Sequence, residues 1–181
     1  MPEDLLSVDI FYDFQPVFGE RSLADELRDH ATRAATARPF LIALSHGLAD
    51  TNAAIGFFGG LKTEQGRLDL KRHGLLPIVA GARLLALRLG ERATSTVARL
   101  RAAQAAGIVT AADAATLERA QALFLKRILE QQSHDIAEGR APTVRVDIAR
   151  LSPRQRRELR MALREVGLVG PVVKDALTAV A

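Results

Sequence analysis

No cysteine occurs anywhere in the chain, which excludes disulfides, thiolate zinc sites and cysteine nucleophiles. Histidine is scarce: His30, His46, His73 and His134 are scattered, and no two have the spacing of a helical metal site. Aromatics are scarcer in kind, with seven phenylalanines, one tyrosine and no tryptophan, which argues against binding of single-stranded nucleic acid by base stacking. The longest apolar run, Leu75 to Ala82, is far too short to span a bilayer, and the first residues carry acids rather than the basic and apolar blocks of a secretion signal. A soluble protein in a reducing, cytoplasmic setting is expected.

What remains is 48% hydrophobic over 181 residues, enough to bury a core within one domain. The formal charge of +4 hides an asymmetry. Residues 1–30 hold eight acids against two arginines, so an acidic leading segment joins a basic body. A basic body suits phosphate-bearing partners, although arginine on solvated helix faces is common.

Asp9-Ile10-Phe11-Tyr12-Asp13-Phe14, closed by Gly19, alternates as a strand would, with both acids on one face. A lone strand needs a sheet, so the stretch reads as the end of one. Ser22 and Asp25 have capping-box spacing for a helix to about Ala37, and Pro39 opens another. A hairpin is expected over about 56–71: Thr63-Glu64-Gln65-Gly66 supplies the turn, then Leu68 and Leu70 alternate with Arg67, Asp69 and Lys71. The helix from Leu76 to Leu89 is apolar almost all round except Arg83 and Arg88, which marks it as central and buried. Gly90, Gly107 and Gly139 end successive helices, the longest of which carries Leu117, Gln121, Phe124, Ile128 and Gln131 as a stripe. Thr143 to Ile148 is extended, Ser152-Pro153 caps a helix to about Val166, and Pro171 begins a last short one. The fold class is mostly α: an antiparallel helical bundle carrying a small hairpin and an N-terminal strand remnant.

Four groupings can carry chemistry. Asp9 and Asp13 can share a magnesium ion with a substrate phosphate, or be solvated acids on an edge strand. Arg150, Arg154, Arg157, Arg160 and Arg164 can track a phosphate backbone, or form the wet face of an amphipathic helix opposite Leu159, Leu163 and Val166. Arg127 and His134 lie seven apart on one helix face, a spacing that resembles the motif of HEPN-domain ribonucleases, which cleave RNA without metal. Asp69, Lys71, Arg72 and His73 crowd the hairpin's end before Arg83; a buried Arg83 needs an acid, Asp69 is a candidate partner, and the group can be a clamp between hairpin and bundle or a phosphate or base pocket.

Taken together, Asp9 to Glu20, Gly56-Phe57-Phe58, Leu68 to Val79 and Ala82 to Leu87 resemble one family, and the likeness extends through Leu151-Ser152-Pro153 and the arginine-rich helix. It is the C-terminal, substrate-binding-like domain of bacterial nucleotidyltransferases that carry CBS or cyclic-nucleotide-binding sensor domains. The resemblance implies a helical bundle packed against a catalytic domain whose Mg2+ carboxylates come from a Gly-Ser loop and an Asp-x-Asp pair. Neither motif occurs in these residues, and Asp9 or Asp13 falls where a third carboxylate is implied. Gln15 stands where the family usually has arginine, and Ala80 where it often has aspartate.

The expected organisation is therefore residues 1–20 as the end of a nucleotidyltransferase sheet or a linker strand, and residues 21–181 as the helical substrate-binding-like domain. The expected role is noncatalytic, binding or orienting a nucleotide or an acceptor, with Asp69, Lys71 and Arg83 facing the cleft and no metal held by this chain alone. Expected partners are the catalytic domain and a sensor domain. Two other classes stand beside it: a metal-independent ribonuclease using Arg127 and His134, and a protein-interaction module.

Overall fold

The computed structural model describes residues 12–46, 48, 54–56 and 60–178. Helices α1 (Arg21–Ala35) and α2 (Arg38–His46) precede strand β1 (Arg67–Asp69), which leads through a π-helical turn (Lys71–Leu75) into α3 (Leu76–Leu89). Then come α4 (Thr96–Ala105), α5 (Ala111–Ala137), strand β2 (Arg145–Asp147), α6 (Pro153–Glu165) and α7 (Val169–Thr178). The chain is mostly α with a small two-stranded antiparallel sheet, as its periodicities predict.

Local chemistry explains most boundaries. Ser95 and Thr110 accept from the backbone N–H groups of Ala98 and Asp113, which starts α4 and α5. Ser152 and Gln155 form a reciprocal capping box at α6, with Pro153 at the first position where no N–H is needed. Gly90 ends α3 in the left-handed conformation. At α1 the cap differs from expectation. Glu20 is the N-cap and makes no side-chain cap bond, while Ser22, already inside the helix, donates from its hydroxyl to the Glu20 carboxylate at 2.9 Å.

The hairpin signal at 56–71 is met by a tight turn. Glu64 and Arg67 exchange both backbone hydrogen bonds around Gln65 and Gly66, each with positive φ, the conformation that matches strand twist. A second isolated bridge joins Ile55 to Leu61. The full sheet partner of β1 comes from much farther along the chain: Arg67, Leu68 and Asp69 sit opposite Asp147, Val146 and Arg145. Leu68 and Val146 are buried between two opposite-charge pairings, so pattern and register agree. Of the extended stretch expected at 9–14, residues 9–11 lie outside the described residues, and Tyr12 and Asp13 form a turn.

The core centres on α3, whose Ile78, Leu84, Leu85 and Leu87 are all buried. It is packed on several sides by α1, α2, α4, α7 and the π-helical turn, which is why its sequence is apolar nearly all round. Two glycines permit the closest approaches. A Cβ at Gly81 would collide with Val169 of α7, and one at Gly74 would lie 2.7 Å from the ring of Phe124, the fully buried centre of α5.

Candidate functional site

Arg83 lies on α3, about 10 Å along the helix axis from its start. Its guanidinium is buried, and the acid that meets it is Asp13 rather than Asp69. The sequence had no way to favour Asp13, because seventy residues separate the two. Asp13 also accepts from Arg99 on α4, so its carboxylate bridges two guanidinium groups: Oδ2 takes Arg83 Nη2 and Oδ1 takes Arg99 Nη2. Arg99 is 3% exposed and is fixed from its other side, donating Nε–H to the Ala93 carbonyl at 2.7 Å. The Asp13 side chain retains 29% exposure, so the bridge sits at the mouth of a cleft.

The residues beside Asp13 hold the turn in place. Tyr12 packs its ring against Phe40 of α2 with centroids 5.9 Å apart, and burial pushes its phenol above the ordinary value. Phe14 lies under the Arg28 guanidinium at 5.0 Å, and Arg28 Nη2 donates to the Phe14 carbonyl at 2.5 Å. Arg92, on the same rim, is paired with Asp25 and Asp29 of α1. Burial alone would raise the Asp13 carboxyl, but hydrogen bonds and charge from Arg99 and Arg83 outweigh it and hold the group below its usual range.

Asp69 and Lys71 lie elsewhere, at the entrance to α3. The Asp69 carboxylate accepts from the backbone N–H of Arg72 at 2.9 Å and stands 4.0 Å from Arg145 across the sheet. Lys71 and Arg72 are exposed on the π-helical turn, a form of helix found often at functional positions. His73 is half-buried, and its imidazole is pushed below the ordinary value by burial and by the Arg72 charge. The structure thus divides the three expected cleft residues: Asp69 and Lys71 together, and Arg83 with Asp13 and Arg99.

Arg127 is 4% exposed and is engaged by Glu130 at 2.7 Å and by Glu158 of α6 at 3.4 Å, whereas His134 is exposed. The Glu158 pair joins the Arg127 guanidinium to α6, a structural use beside the one that its spacing to His134 suggests. Arg154, Arg157 and Arg164 are exposed while Leu159 and Leu163 are buried, as an amphipathic helix requires.

A polar network that the sequence reading passed over lies at the end of α5. Asp135 is 1% exposed and accepts from Gln131 at 2.9 Å, Arg140 at 3.2 Å and the Thr143 backbone at 3.2 Å. Gln131 in turn accepts from the backbone N–H of Asp147, which ties β2 to the long helix. Burial tends to raise Asp135, yet these bonds and the Arg140 charge hold it below its usual value. The signal was present: a Gln at a core position of the α5 stripe, with an Asp one turn later on the same face.

Among the described residues no cluster of three or more His, Asp or Glu side chains is arranged to hold a metal ion. Asp13, neutralised by two guanidinium groups, does not fit a magnesium ligand set while so held. Asp9 lies outside the described residues. No helix among the described residues is long and apolar enough to cross a membrane.

Neither curated proteins nor solved structures gave a relative of this chain. The model of the family described as "Putative nucleotidyltransferase substrate binding domain" matches residues 38–174, from the start of α2 through most of α7 and including Lys71, Arg83 and Arg99. The chain therefore belongs to the nucleotidyltransferase substrate-binding domain family.

Proposed function

We propose that this domain is the noncatalytic C-terminal part of a nucleotidyltransferase in a signal-transduction protein, where it binds or orients a nucleotide or an acceptor. The observation that carries the reading is the family match across nearly the whole helical bundle. Nucleotidyl transfer depends on in-line positioning and on neutralising phosphate charge, so a partner domain contributes by closing the cleft and holding one reactant. Mg2+ belongs to the catalytic domain on this reading. A CBS or cyclic-nucleotide-binding sensor domain would bias how the two domains close.

The exposed Lys71 on its π-helical turn, beside Asp69, is the proposed contact to the bound reactant. In a protein carrying both the catalytic domain and this one, Lys71→Ala is expected to raise the nucleotide Kd roughly 10- to 100-fold while leaving Tm unchanged, since a charge-assisted phosphate contact contributes about 1.5–3 kcal/mol. Calorimetric titration and a thermal melt measure the two. An unchanged Kd would remove Lys71 from the site.

A further inference from the structure

We propose that Arg83 and Arg99 form a phosphate-binding site whose resident occupant is the chain's own Asp13, so that a phosphorylated ligand binds by displacing the Tyr12–Phe14 turn. The inference rests on the nucleotide reading only for the kind of phosphate, and on the geometry for the site itself. Two guanidinium groups from adjacent helices, each nine-tenths or more buried, converge on two oxygens of one anion. That is the arrangement by which paired arginines clamp phosphate. The helices α3 and α4 hold these arginines rigidly, and Arg99 is fixed further by its bond to Ala93.

The occupant differs in kind from its site. Asp13 stands on a turn rather than in a helix or strand, and residues 15–20, which follow it, are all exposed. Its carboxylate brings one negative charge and two oxygens to the pair, whereas a phosphate or pyrophosphate group carries more charge and more acceptor oxygens. The neighbouring Arg28 has a buried Nε–H with no hydrogen-bond partner among the described residues, a further donor beside the same cleft. The carboxylate is partly open to solvent, so a ligand reaches the site without unfolding the bundle.

Tyr12 makes the displacement visible. It is the chain's single tyrosine, there is no tryptophan, and its ring is packed against Phe40 beside the bridge. Inorganic pyrophosphate titrated into the purified chain, with sodium chloride at matched ionic strength as control, is expected to change the Tyr12 fluorescence saturably. By calorimetry, Asp13→Asn is expected to bind pyrophosphate about tenfold more tightly than the parent, because the competing carboxylate charge is gone, and Arg99→Met to abolish binding. No gain in Asp13→Asn, or binding indifferent to Arg99→Met, overturns the proposal. Should Asp13→Asn fail to fold, the parent decides: a Tyr12 signal that follows ionic strength alone overturns it. ATP as a second probe separates the two readings. Pyrophosphate binding without ATP binding keeps the phosphate site and removes the nucleotide, while ATP binding that depends on Lys71 and not on Arg99 keeps the nucleotide and removes this site.

Discussion

Arg83 illustrates how far a single residue can be read before its neighbours are known. Its place in the middle of a helix whose only other charge is Arg88 announces a buried cation in need of an anion, since an unpaired buried charge costs several kcal/mol. The type of partner follows from that physics; its identity does not. Asp69 is near in sequence but is committed to the Arg72 N–H, and Asp13 arrives by chain folding that local pattern does not encode. The bridge carries a pH signature. The Asp13 carboxyl is held below its unfolded value of 3.8, so its contribution is fully present above about pH 4 and is lost as pH falls through the lower folded value. Asp135 titrates with the same sign. Asp13→Asn is therefore expected to lower Tm at pH 7 and to flatten the fall in Tm between about pH 4 and pH 2, leaving the share due to Asp135 and the other depressed carboxylates. A melt series across that range in both proteins checks it, and parallel curves would show that the bridge adds no pH-dependent stability.

Among the elements, helices were the most legible because each writes its own start and stop. The Ser152-Pro153 start and the Gly90 stop fall where the sequence puts them. The sheet was legible only in half. Leu68 and Val146 each alternate with charge, but their mutual register depends on α5 carrying the chain back, and the Gln131 bond to Asp147 that secures it joins residues sixteen apart. The π-helical turn was not legible at all, and it makes a sharp prediction. Gly74 is there because the α5 ring of Phe124, 0% exposed, leaves no room for a Cβ. Alanine in place of glycine normally favours a helix by up to about 1 kcal/mol, yet here overpacking at about 1–3 kcal/mol wins. Gly74→Ala is expected to destabilise the protein by about 1–2 kcal/mol in urea denaturation. In a Phe124→Leu background the same change should cost nothing or gain, and an equal penalty in both backgrounds would place the strain elsewhere.

For the molecule as a whole, α3 is the element to which both ends of the described chain attach. The Tyr12–Phe14 turn reaches it through Asp13 and Arg83, and α7 through Val169 against Gly81. The two attachments differ in kind. α7 buries Val169, Val173 and Ala176 in the common core and should unfold with it, since removing those side chains from the core exposes apolar surface at about 25 cal/mol per Å2. Among the described residues the leading turn adds two partly buried rings, the Asp13 bridge and the Arg28 bond to the Phe14 carbonyl, so its hold on the bundle is local. In the parent protein, urea unfolding followed by Tyr12 fluorescence and by far-ultraviolet circular dichroism should coincide, because the Asp13 bridge couples the turn to α3 and α4. In Asp13→Asn the tyrosine transition should move to lower urea by more than the helical one, as the turn releases while the bundle persists. Tyr12 and helical transitions that stay superimposed in Asp13→Asn would mean that contacts other than the bridge hold the turn, and a ligand could not displace it by competing for the arginines.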